Sequence, residues 1–155
     1  MKNLKKILLI LVAVCAFAAC GDDDNKKEKQ PTTVTSVFNG DVYVDENLTA
    51  SGIDVEIKTN TKDKKCDILM NNVKFSENMP MAMNMGIEGL TYTISGSDTI
   101  ATGTAIHPTV SGQSFPSYTL NNILCTFSAN AITIAMDVAS QHGNMTMRFT
   151  GTRNK

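Results

Sequence analysis

The chain has 155 residues, 42% of them hydrophobic and 19% charged, which is enough for one domain with a real core and an N-terminal extension. Its 14 basic and 15 acidic residues give a formal net charge of −1, and that balance excludes a strongly basic surface for nucleic acid or anionic membrane. With no Trp and only three Tyr, the chain is also poorly equipped to stack sugars on aromatic platforms.

Lys2, Lys5 and Lys6 precede an apolar run from Ile7 to Ala19. The run is too short to span a bilayer and suits the core of a signal peptide. Phe17-Ala18-Ala19-Cys20 resembles the lipobox of bacterial lipoproteins, with Phe17 where an aliphatic residue is usual. The resemblance implies a signal peptide over residues 1–19, cleavage before Cys20, a diacylglycerol on the Cys20 sulfur and usually a third acyl chain on its new amino group. Several chains anchor stably because each buried methylene contributes about 0.8 kcal/mol. A plain secretory signal with an incidental cysteine is the competing reading.

Behind Cys20 stands Gly21-Asp22-Asp23-Asp24. It is similar to the acidic export signal that sends certain Gram-negative lipoproteins to the outer face of the outer membrane. The implied address is the cell surface, with the periplasmic face as the alternative. From Asp22 to about Thr33 the chain is charged and polar, contains Pro31 and has no apolar residue. Such a segment cannot offset its ordering entropy, so residues 20–33 are expected to be a tether. Lys26, Lys27 and Lys29 read as solvated linker charge ahead of lipid contact.

From Val34 the apolar residues recur at period two with turn residues between runs, and no stretch sustains helical spacing. Eight strands are expected, at about Val34–Val44, Gly52–Thr59, Cys66–Phe75, Met85–Ser95, Asp98–Ile106, Ser117–Ser128, Ala131–Ala139 and Gly143–Thr152. Ile53, Val55 and Ile57 alternate with Asp54, Glu56 and Lys58. Ile132, Ile134, Met136 and Val138 alternate with Thr133, Ala135 and Asp137, as Met145, Met147 and Phe149 do with Thr146, Arg148 and Thr150. A slip of one residue would bury the charged set, so the pattern fixes the register.

Short connections such as Ser95-Gly96-Ser97-Asp98 make sequence neighbours pair, which gives an up-and-down meander. Closing eight such strands into a barrel removes exposed edges. Phe38-Asn39-Gly40 and Phe149-Thr150-Gly151 share a Phe-x-Gly pattern and place two glycines at the closing seam if the first and last strands pair. The longest irregular piece, Pro108 to Pro116, is the loop expected to cover an opening.

Over Val34 to Thr152 the chain resembles the calycin-like β-barrel domains of small bacterial lipoproteins, relatives in shape of lipocalins. Five stretches carry the resemblance: Phe38-Asn39-Gly40-Asp41, Met70-Asn71-Asn72-Val73-Lys74-Phe75, Met79 to Leu90, Tyr118-Thr119-Leu120-Asn121-Asn122-Ile123, and Met145 to Gly151. It implies an all-β, eight-stranded antiparallel barrel over residues 34–155 and, by shape analogy, an interior open to a small apolar ligand. An eight-stranded interior can equally be filled by side chains.

Met79, Met81, Met83 and Met85 fall at period two, which puts four thioethers on one side of an extended chain. Three readings compete: a gap-filling strip, an adaptable lining for a lipid-like ligand, and a soft-metal site for Cu(I) completed by His107, His142, Met145 or Met147. Candidate ligand-lining residues are therefore Met79, Met81, Met83, Met85, Ile132, Ile134, Met136, Met145, Met147 and Phe149. Cys66 and Cys125 share the inward parity and are read as free thiols ahead of a disulfide, since facing inward does not bring two Cα atoms within bridging distance. Asp98-Thr99-Ile100 resembles an O-glycosylation acceptor of exported proteins, against the plainer reading of a strand threonine.

Neither histidine has a sequence neighbour that makes a triad or a metal motif, and no phosphate-cradling glycine loop or Cys-x-x-Cys is present. The expectation is a lipid-anchored, non-catalytic protein that needs no cofactor and binds a small hydrophobic ligand. Its alternatives are a structural or accessory surface protein with a filled barrel that binds a protein or glycan, and Cu(I) binding at the methionine strip.

Overall fold

In the computed structural model, which describes residues 32–74 and 81–154, the alternating stretches form strands and no helix. The expected signal peptide, the lipidation site Cys20 and most of the tether lie outside the described residues. The strands are β1 (Thr33–Val44), β2 (Asn47–Asn60), β3 (Lys65–Val73), β4 (Met83–Ser95), β5 (Asp98–Gly103), β6 (Thr109–Val110), β7 (Gln113–Ser114), β8 (Tyr118–Phe127), β9 (Ala131–Ser140) and β10 (Gly143–Arg153). Eight of them close an antiparallel ring in the order β1, β2, β3, β4, β5, β8, β9, β10, with β10 returning to β1. The short hairpin β6–β7 stands outside the ring and pairs with β4.

The seam between first and last strands places Gly40 directly opposite Gly151. A β-carbon on Gly40 would collide with the Thr150 carbonyl and the Gly151 Cα, and one on Gly151 would lie 2.8 Å from both the Asn39 carbonyl oxygen and the Phe149 ring. The shared Phe-x-Gly pattern thus marks the point where two backbones come closest.

Inside, the predicted dry faces are dry. Val55, Ile57, Cys66, Ile68, Met70, Ile87, Leu90, Cys125, Ile134 and Phe149 are among the fully buried core, and among the described residues no polar or charged one is buried. Besides the register shifts between β1 and β2 around Val42, strict alternation fails at three bulges, each with two residues facing one across the pair. In β3, Asn71 and Asn72 oppose Asn84; in β4, Glu88 and Gly89 oppose Asp67; in β8, Asn122 and Ile123 oppose Met136. The left-handed residues are Asn72 (φ 56°), Gly89 (φ 77°) and Asn122 (φ 50°), types that tolerate that region. Each bulge is pinned by a side chain: the Asn72 N–H donates to Asn84 Oδ1 (3.0 Å), the Gly89 N–H to Asp67 Oδ1 (2.7 Å), and Asn122 Nδ2 to Asp137 Oδ2 (2.6 Å). The bulges resume the inward parity one residue late, so Met70 is followed inside by Val73, and Leu120 by Ile123.

Most boundaries lie within two residues of the sequence reading, and three differences are larger. β2 starts at Asn47, ahead of Gly52, because a register shift lets Leu48 and Ala50 continue the pairing with Tyr43 and Val42. β5 stops at Gly103, short of Ile106, which makes an isolated bridge to Leu120. Within the stretch read as irregular, Ser111 (φ 52°) and Gly112 (φ 79°) form the two-residue turn of the β6–β7 hairpin, both left-handed as a primed turn requires.

The register sets two poles. One gathers Thr32, Asn154 and the β2–β3, β4–β5 and β8–β9 turns; the other gathers the β1–β2 and β9–β10 turns, the end of β3, the start of β4 and the segment from β5 to β8.

Candidate functional site

At the second pole, the early end of β5 leaves β4 and β8 without a wall strand between them, and the β5–β8 connection fills the gap. Beneath it lies an apolar cavity of about 130 Å³. Wall strands supply Met83 and Met85 (β4), Tyr118 and Leu120 (β8) and Val138 (β9); the connection supplies Pro108, Val110 and Phe115. Met85, Leu120 and Val138 are buried, while Phe115 keeps 38% of its surface exposed. The buried core side chains form one hydrophobic cluster inside the barrel.

The connection is held as a flap. Met85 pairs with Val110 and Gly86 with Thr109. The Ser111 N–H donates to the Asn84 carbonyl (3.1 Å) and the Phe115 N–H to that of Pro108 (2.8 Å). His107 Nδ1 lies 2.9 Å from the Tyr118 carbonyl, which can only accept, so that nitrogen carries the proton. Phe115 and Tyr118 stack with centroids 5.3 Å apart and planes 16° from parallel. A β-carbon at Gly86 would run into Thr109 Oγ1, so the bare glycine lets the flap seat closely against β4. The one side-chain hydroxyl lining the cavity is that of Tyr118, and it makes no hydrogen bond among the described residues.

The predicted site residues divide. Met83 and Met85 line the cavity, Met81 is 69% exposed, and Met79 lies outside the described residues. Ile132, Ile134, Met136, Met147 and Phe149 are buried in the packed core and do not line the cavity; Met145 is half-buried. The expected one-sided methionine strip thus grades from solvent to interior as the chain enters β4. Pro108, Val110, Phe115, Tyr118, Leu120 and Val138 are lining residues that the sequence reading did not single out as site residues. The available signal was Phe115, a lone aromatic between Ser114 and Pro116 in a polar loop.

A second concavity, open and polar, crosses the outer wall over β8, β9 and β10, lined by Asp45, Thr104, Asn121, Asn122, Asp137, Asn144, Met145 and Thr146. The amide of Asn144 has no partner among the described residues, whereas Asp45 Oδ1 accepts from the Thr146 N–H at 2.8 Å. Among the described residues no three His, Cys, Asp or Glu side chains converge as a metal site would require. His107 is held by its carbonyl contact, and His142 lies 3.3 Å from Gln141 Nε2.

Cys66 and Cys125 are free and fully buried. Burial, with Asp67 adding to it, pushes the Cys66 thiol up to about 12. Burial also raises Cys125, helped by neighbouring Cys66. Both are therefore protonated and unreactive at neutral pH.

Comparison with family models, with curated proteins and with solved structures finds no match for this chain.

Proposed function

We propose that this chain is a lipid-anchored protein of the Gram-negative envelope, displayed at the cell surface, whose calycin-like barrel binds a small hydrophobic ligand without catalysis. The observation that carries the ligand reading is the apolar cavity beneath the flap, set against the buried core of the barrel. Binding sites of small molecules are concave, mostly apolar and furnished with few polar groups. The anchor reading rests on Phe17-Ala18-Ala19-Cys20 and the acidic run behind it. Two measurements test these separately. Cys20→Ser is expected to abolish acylation, seen by intact mass, and to release the protein from membranes; an unchanged membrane fraction would overturn the anchor. Native mass spectrometry of the protein isolated from its host is expected to show one small apolar molecule per barrel, or an empty barrel that takes up added hydrophobic probe; refusal of every probe would overturn the pocket.

The polar groove on the outer wall favours a second reading, an accessory protein that holds a glycan. Its amides can donate to sugar hydroxyls, and its amides and carboxylates can accept from them. Glycan-array binding lost on Asn144→Ala and unaffected by filling the cavity would support it.

A further inference from the structure

Resting on the pocket reading above, we infer that the ligand is a single-ring aromatic molecule with at most one polar substituent, of the toluene or alkylphenol class, and not an acyl chain. Size is the first constraint. A protein cavity of about 150 Å³ holds benzene, and this one is about 130 Å³. Met85 and Leu120, each 1% exposed, are among its lining residues, and a chain of many methylenes exceeds the volume they help bound.

Lining chemistry is the second constraint. Met83 and Met85 bring thioethers, which make favourable contacts with aromatic rings. Phe115 and Tyr118 add two near-parallel rings, and a third ring extends such a stack. Val110, Leu120 and Val138 complete an apolar lining with no charged side chain among the described residues. A carboxylate inside it would lose its hydration with no cation to replace it. The third constraint is the Tyr118 hydroxyl, the single side-chain group there able to donate or accept and lacking a partner among the described residues. It matches one phenolic hydroxyl.

The test uses the mature chain carrying Cys20→Ser, with its methionine methyls labelled for NMR, titrated with toluene, p-cresol, n-heptane and heptanoate. The expected result is saturable binding of toluene and p-cresol, with ring-current shifts at the methyls of Met83 and Met85 and none at Met136 or Met147. Tyr118→Phe is expected to weaken p-cresol about 5-fold to 10-fold, the effect of one hydrogen bond, and to leave toluene unchanged. Val138→Phe, which fills the cavity, is expected to abolish both. If that variant fails to fold, the Tyr118→Phe comparison still decides. Tighter binding of n-heptane or heptanoate than of toluene would overturn the aromatic assignment and leave the pocket standing. No shift with any of the four probes would overturn both.

Discussion

Cys66 and Cys125 show how much a single residue's surroundings decide. Their inward parity was legible from Ile68, Met70 and Ile123, and both thiols are buried. Their free state agrees with the reading as free thiols ahead of a disulfide, although spacing along the chain does not encode how strands β3 and β8 lie across the barrel, on which bridging depends. Burial raises both thiols above their value in the unfolded chain. Between about pH 9 and about 12 the unfolded chain therefore binds fewer protons than the folded one, so stability that is complete below pH 9 falls as pH rises. The expected slope is about 1.4 kcal/mol per pH unit for each thiol. Urea melts at pH 8, 9 and 10 should show this loss, reduced in Cys66→Ala and Cys125→Ala after allowing for their cavities. A thiol reagent should label neither residue in the folded protein at pH 8 and both in urea.

At the scale of the strand, the period-two pattern of Ile53 to Lys58 and of Ile132 to Val138 predicted those parts of β2 and β9, which run without interruption against β3 and β10. β3, β4 and β8 were harder to read. A bulge shifts the inward parity by one position, and in sequence Met70-Asn71-Asn72-Val73 looks like a strand losing its pattern. The pinning side chain stands on the partner strand, so its role becomes visible only once the pairing is known. Asp67→Ala should cost about 1–2 kcal/mol, the contribution of a charge-assisted bond to the Gly89 N–H, read from urea unfolding. Asp67→Asn should recover part of it, since an amide oxygen also accepts. The β6–β7 hairpin escaped the sequence reading for a different reason: strands of two residues carry no periodicity. Gly86→Ala, whose new methyl would run into Thr109, should unseat this hairpin from β4 and speed amide exchange at Val110 and Ser111 at least 10-fold. The core and the β1–β10 seam should keep their protection.

For the whole molecule, the meander and its closure followed from short connections and the need to remove edges. The Phe-x-Gly echo also pointed to the correct seam. The cavity's place was only partly legible: the Pro108 to Pro116 stretch was recognised as a cover, but the mouth exists because β5 ends early, a property of pairing and not of composition. Closure at Gly40 and Gly151 tolerates no side chain against the facing backbone. Gly40→Ala should destabilise the whole barrel by about 1–3 kcal/mol in urea. The seam joins every other strand into one ring, so the loss should appear as a lower midpoint of a single transition, not as local fraying.

The described chain ends, Thr32 and Asn154, sit at the pole opposite the flap. With the proposed anchor at Cys20, the chain would enter the barrel at the pole opposite the flap, and the proposed cargo would reach the flap from the surrounding water, which suits a small, sparingly soluble ring better than a fatty acid drawn from the leaflet.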